Sequence, residues 1–478
     1  VTLSLNRLNT LPAFSWALLA ALIAWLTATQ PLGVLAIGLG LACFGLLALI
    51  TPLAAVAILL ILAPLRALIA TESPVQLPLD IGQLALLALV GVWVAASITR
   101  ERALPRLQWS PVYVPLLVFF AAATASTFSA LSMGAWLSEW LKWAQILLLV
   151  ALCLNLSAHW EWFVFALALA GAGNALIGIY QFFGGSGALH LLVNDRFFRA
   201  FGTFGQPNPF GGFMGLLAPP LLMAALGYAV RVWRRVNLSA LAGLLFYGAC
   251  AGLVTVGLFL SWSRGAWLAF GVSVLVMVLA LPRKFWQGAA LVAVVGALGA
   301  GLWLSGRLPA SIVERINSAT QETFAFNDVR GVYITPENYA LVERFAHWQA
   351  ALNMATAHPW LGVGFGNYEV AYPAHSLMNW ELALGHAHNY YLNVLAETGM
   401  IGLAAYMIMW VGIAVLTWRV RRHPDPFARL IAIGLLGTWT YLGVHSLTDN
   451  LYVNNLFLHL GVLFGLLAVL AAQARVRI

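Results

Sequence analysis

Four polar stretches interrupt an otherwise apolar chain, and each carries residue types that can do chemistry. In Gly385-His386-Ala387-His388-Asn389-Tyr390-Tyr391-Leu392, two histidines, an asparagine and two tyrosines stand where a polar segment turns into a long apolar run. A neutral imidazole is the natural general base near pH 7, so His388 is the candidate catalytic residue. His386 and His388 are two positions apart and would diverge on a regular helix. Zinc favours i, i+4 spacing or added cysteines, so no metal is expected here. A second stretch runs from Arg196 and Arg199 through Gly202, Thr203 and Gly205 to Gln206-Pro207-Asn208-Pro209. The planar guanidinium fork suits phosphate oxygens and keeps its charge where water is scarce. Gly202 and Gly205 are expected to open backbone N–H groups to an anion; headgroup anchoring by Arg196 is the plainer alternative.

The third stretch is Ser261-Trp262-Ser263-Arg264-Gly265, between two apolar runs and with no acidic residue within ten positions on either side. A cation there needs an anionic partner. A substrate phosphate would supply it, as would a carboxylate elsewhere in the bundle. The fourth, His358-Pro359-Trp360-Leu361-Gly362-Val363-Gly364-Phe365-Gly366-Asn367-Tyr368, superficially resembles a nucleotide loop. It lacks the strand–turn–helix context and reads as a tight, close-packed turn. Lesser candidates are His445 and Asp449 in another turn, Glu397 and Lys142 as structural partners, and Arg66 as a further member of the anion site.

The elements that must hold these residues are membrane helices. The 478 residues are 62% hydrophobic and 8% charged, and the mean hydropathy is +0.88. A soluble domain carries about 25% charged residues. Lipid leaves backbone polar groups unsatisfied outside helices and closed barrels, and repeated apolar runs of ~20 residues select helices. The three cysteines fall inside apolar runs without ligand spacing and read as small core residues. Fourteen apolar runs, from 12–29, 31–50 and 52–70 through 266–281 and 287–305 to 398–418, 428–448 and 453–473, imply about 12 to 14 spans. The first run lacks a clear cleavage site and is expected to be a retained helix.

Most of the 24 Lys and Arg residues lie in one set of loops, around positions 100–106, 231–235, 283–284, 419–429 and 475–477. The positive-inside rule puts those ends in the cytoplasm, so the net charge of +8 is topological and does not indicate nucleic acid. The chain divides into helices over 1–305 with a short outer loop at 184–209, a large outer loop over 306–397, and terminal helices over 398–478. The large loop holds half of the 16 acidic residues and half of the ten histidines. Within it, Leu341, Phe345, Trp348, Leu352 and Ala355 form one apolar stripe, which predicts an interfacial helix with Glu343, Arg344, His347 and Gln349 turned away. The expected fold is therefore an all-α integral membrane protein, a polytopic bundle with a helical loop region resting on it.

Taken together, these stretches resemble the O-antigen ligase family, whose relatives include O-antigen polymerases and protein O-oligosaccharyltransferases. The resemblance rests on Arg199-x-x-Gly202-Thr203 with Gln206-Pro207-Asn208, on Ser263-Arg264-Gly265, on His358-Pro359-x-x-Gly362-x-Gly364, and on His388-Asn389-x-x-Leu392 with Glu397-x-Gly399. It implies a multi-pass protein of the bacterial inner membrane whose active site faces the periplasm. The implied reaction is a metal- and cofactor-independent, inverting glycosyl transfer. Its donor is a glycan on undecaprenyl pyrophosphate, its acceptor a sugar hydroxyl of lipid A–core, and its product lipopolysaccharide. By the resemblance, Arg199 and Arg264 hold the pyrophosphate and His388 activates the hydroxyl. Arg196, Gln206, Asn208, His386 and Asn389 are the remaining substrate-binding candidates. Oligosaccharyltransferases often carry an extended C-terminal region, and here the sequence ends at Ile478 soon after the last span, so ligase is the expectation within the family. Polymerase and oligosaccharyltransferase are the alternatives. A flippase or transporter of lipid-linked glycans would use the same arginines, but predicts ionisable residues at mid-membrane in several spans, and few spans contain any.

Overall fold

The computed structural model describes residues 32–474 except 73–79, 103, 186–187, 194–195, 308–312, 314–327 and 336–337, together with isolated positions before residue 32. The chain folds as α1 (Leu32–Ile50), α2 (Pro52–Leu62), a 3-10 turn at Ala63–Leu65, α3 (Arg66–Glu72), α4 (Ile81–Glu101), α5 (Tyr113–Ala125), α6 (Met133–Asn155) and α7 (Glu161–Tyr180). After a two-stranded hairpin, β1 (Leu192–Val193) and β2 (Phe197–Phe198), come α8 (Pro207–Arg234), α9 (Leu238–Leu260), α10 (Arg264–Ala280) and α11 (Phe285–Leu304). The large loop contributes α12 (Tyr339–Ala357) and α13 (Tyr368–His375), and the chain closes with α14 (Tyr390–Val420), α15 (Pro426–His445) and α16 (Leu456–Gln473). Among the described residues, 11 helices are long and apolar enough to cross a membrane, and Tyr113–Ser129 and Arg264–Ala280 are shorter apolar helices. These account for every expected run but the first, 12–29, which lies almost wholly outside the described residues.

Helix starts follow local chemistry. Proline occupies the first turn of α2, α8 and α15, where its missing N–H costs nothing. Asp80, Asn237, Asp425 and Asn389 cap α4, α9, α15 and α14 through their side-chain oxygens. The centre of the bundle is α8, α15 and α16, buried along most of their lengths. There α8 packs on α9 and α15, α16 on α6, and α10 on α15. Small residues set the closest approaches, as expected where lipid removes most of the hydrophobic drive between helices. Gly434 lies against the Pro219-Pro220 backbone of α8. Pro220 cannot donate to the Leu216 carbonyl four residues back, and the Thr438 hydroxyl donates to it instead at 2.9 Å.

Two elements differ from expectation. The apolar run expected to begin at 398 is the second part of α14, which starts at Tyr390 and breaks at Gly399 (φ 64°, ψ −166°). The 359–364 loop satisfies the break: Met400 N–H donates to the Pro359 carbonyl (2.8 Å), while Val363 and Gly364 N–H groups donate to the Ala396 and Glu397 carbonyls (3.0 and 2.9 Å). The second element is α12. It does bury Phe345, Trp348 and Ala355, but not as a single stripe. Ala350, Ala351 and Met354 pack with Val363, Tyr368, Tyr372 and Ala387 on one side. Val342, Phe345 and Trp348 pack with Val329 and Trp380 on the other. Sandwiched between two small cores, the helix buries His347 as well, which sequence periodicity had turned to the surface.

Candidate active site

The segment 385–389 is held by the first turn of α14. Asn389 Oδ1 accepts from the N–H groups of Tyr391 and Leu392 at 3.0 and 3.1 Å, so this atom caps the helix. Asn393 Oδ1 accepts from Ala387 N–H at 3.1 Å, and the Ser446 carbonyl accepts from Tyr390 N–H at 2.8 Å, pinning the corner to the end of α15. Between these anchors His388 takes a left-handed conformation (φ 52°), uncommon for a residue with a side chain. The chain reversal sets the His386 and His388 rings edge to face, 4.4 Å apart. Burial is the main cause that pushes the His388 imidazole down to about 3, and His386 adds to it, against an upward pull from Asp449. His386 is likewise lowered, first by burial. His388 is thus neutral near pH 7, with a lone pair to offer.

Among the described residues, His386, His388 and Asp449 are near enough together to hold a metal ion, with ligand atoms within 4.8 Å of one another. The donor set fits a metal poorly. His386 Nδ1 accepts from the His388 backbone N–H at 3.0 Å, so the proton of the neutral ring resides on Nε2. That nitrogen faces Asp449 Oδ1 at 3.7 Å and has no lone pair for a cation. Asp449 in turn accepts from Asn450 N–H at 2.8 Å.

Helix α12 brings in residues that sequence reasoning left aside. The His347 ring lies 5.7 Å from the His388 ring at 75° and stacks on Tyr372 at 4.8 Å. Burial pushes His347 down to about 4, with His386 contributing. Arg344, one turn earlier, lies close enough to act electrostatically on both His386 and His388. The alanines at 346, 350 and 351, all fully buried, were the available signal, because small residues on one helix face mark a close neighbour.

The arginine side is built by the first loop. Arg199 donates from Nε to the Ser261 carbonyl (3.1 Å) and from NH2 to Asn208 Oδ1 (3.2 Å). Burial, then the neighbouring Arg264, lower Arg199 to about 10, so it stays charged at neutral pH. The loop is stapled to α7 and the bend after it. Gln181 Oε1 accepts from Gly202 N–H at 2.7 Å and Asn174 Oδ1 accepts from Thr203 N–H at 3.1 Å. The expectation that Gly202 offers its N–H to an anion is therefore corrected: that N–H already donates to Gln181 Oε1. A Cβ at Gly202 (φ 53°) would strike the Phe210 ring, which explains the glycine. Arg196 is exposed and lies over the Phe197 ring at 5.1 Å. Gln206 is exposed at the start of α8 with no capping bond from its side chain. Arg66 faces Asp80 at 3.7 Å. Lys142 pairs with Glu139 at 2.5 Å.

The 445–450 turn touches both halves. Gly265, adjoining Arg264, lies against Thr448 and His445, and the Asp449 carboxylate, one residue after Thr448, faces His386. The O-antigen ligase family model matches residues 249–407. Over that region the chain is similar to the O-antigen ligase family. An O-antigen ligase of Pseudomonas aeruginosa (strain PAO1) is 32% identical over 101 residues, which are 20% of this chain. The chain spans about a fifth of that curated relative's length, 21%. The family region takes in Arg264, α12, the glycine loop, His388 and the break at Gly399, whereas Arg199 and Asp449 lie outside it. The glycine-loop expectation fits the packing: Gly362, Gly364 and Gly366 all have positive φ, and a Cβ on each would meet backbone.

Proposed function

We propose that this chain is a glycosyltransferase of the O-antigen ligase type, in the bacterial inner membrane with its active site on the periplasmic face. It transfers a glycan from undecaprenyl pyrophosphate to a sugar hydroxyl of lipid A–core. The observation that carries the reading is the neutral His388 beside Asp449, in a turn that also packs against Gly265, the neighbour of Arg264 in the chain. The acceptor hydroxyl attacks the anomeric carbon from the face opposite the leaving group. Its proton passes to the His388 imidazole as the new C–O bond forms. The bond from the anomeric carbon to the pyrophosphate oxygen breaks, and the electron pair leaves with the pyrophosphate. Arg199 and Arg264 receive the charge, helped by the N-termini of α8 and α10, which favour anions. One displacement inverts the anomeric centre. The product lipid is undecaprenyl pyrophosphate.

The test is a purified reaction with one lipid-linked glycan, offered lipid A–core, a protein acceptor, or no second acceptor, each with and without a chelator. Transfer to lipid A–core, undiminished by chelation, is the expected product. Glycosylated protein would assign an oligosaccharyltransferase, and donor elongation a polymerase. Loss of activity on chelation, restored by one divalent metal, would overturn the metal-independent step.

A further inference from the structure

We propose that His347 is a positioning residue for His388: locked by Tyr368 and Tyr372, its ring forms the wall that holds the His388 imidazole in its reactive orientation. This rests on the reading of His388 as the base. The Tyr368 hydroxyl donates to the His347 carbonyl at 3.1 Å. Its oxygen then accepts from His347 Nδ1–H at 3.0 Å. The tyrosine therefore clamps both backbone and ring of the same histidine. Tyr372 closes one face of that ring by stacking at 4.8 Å and 25°. Tyr372 is itself anchored, its hydroxyl donating to the Trp380 carbonyl at 2.8 Å. With its face and one nitrogen engaged, the His347 ring has one orientation, and it meets the His388 ring at 75°.

The chain of support reaches back to α14. Tyr368 N–H donates to Glu397 Oε1 at 3.1 Å. Glu397 is buried in the turn before the Gly399 break. Helix α14 carries His388 just ahead of its first turn, so the element that presents the base also fixes the wall opposite it. His386 supplies one neighbour of the His388 ring, at 4.4 Å, and His347 another, at 5.7 Å. Tyr368, Tyr372 and His347 are all buried, as a rigid support requires.

A positioning role is separable from a structural one and from direct proton transfer. His347→Ala is expected to lower kcat on the order of tenfold to a hundredfold, the scale of a misplaced catalytic group, while the donor KM stays unchanged. His347→Phe keeps the ring against His388 and is expected to recover most of the lost kcat. Tyr368→Phe releases the His347 nitrogen and is expected to give a smaller loss of the same kind. Combined with His347→Phe it is expected to add little, since both remove the hydrogen bond between the 347 ring and the Tyr368 hydroxyl, and only the hydroxyl's bond to the 347 carbonyl remains to be lost. In a His388→Ala background, His347→Ala is expected to change nothing further. If His347→Ala misfolds, the His347→Phe and Tyr368→Phe pair carries the test through the same cycle. Three results would overturn the proposal. They are wild-type kcat in His347→Ala, a folded His347→Phe as inactive as His347→Ala, and an equal His347→Ala loss when His388 is already absent. Activity retained in His388→Ala alone would instead remove the base assignment, independently of His347.

Discussion

At the residue scale, the charge state of His388 is set by its surroundings, and this fixes a pH dependence. Burial and neighbouring His386 lower it to about 3. A base works in its neutral form, so activity is lost as pH falls through the pKa of the state that limits the measured rate. The proposed pyrophosphate donor would add negative charge near the ring, which favours imidazolium and raises that pKa. The acid limb of kcat is therefore expected at higher pH than the acid limb of kcat/KM for the donor. Coincident limbs in a steady-state pH series would show that the donor does not act on His388. The residues proposed to carry this chemistry were legible because their types are out of place: Arg264 and His388 are polar at the edges of apolar runs. His347 was not legible, because its burial depends on two cores from distant segments, and a single periodicity cannot describe a helix buried on two sides.

At the element scale, the glycine loop and the break in α14 are one device. The loop fills the backbone groups that Gly399 frees, and in doing so it places Glu397 beneath Tyr368. Gly362 sits at φ 66° with a Cβ position that strikes the Glu397–Thr398 backbone. Gly362→Ala is expected to destabilise the protein by about 2–4 kcal/mol, combining backbone strain with overpacking against main chain. Gly385 has φ 78° but open space around it, so Gly385→Ala is expected to cost only the ~1–2 kcal/mol of a left-handed residue. Thermal unfolding in detergent compares the two; equal losses would mean that the loop yields to the added methyl. Sequence showed the loop to be close-packed. It did not show what the loop packs on, because the helix break looks like the start of an apolar run.

At the scale of the whole molecule, apolar runs were enough to locate the spans, since lipid makes long apolar helices obligatory. Convergence was harder to see. Arg199 and Arg264 meet across α8 and α10, and the 445–450 turn carries that pair toward the histidines. His445 and Asp449 gave only a weak signal, because a buried turn after α15 has no periodicity to read. The account stands on His388 as the base that this convergence serves. The direct measurement is single-turnover glycan transfer by purified His388→Ala, with lipid-linked donor binding and thermal stability measured on the same sample. The account predicts transfer reduced by about 10²–10⁴-fold, with donor binding and folding retained. Transfer near the wild-type rate would contradict it.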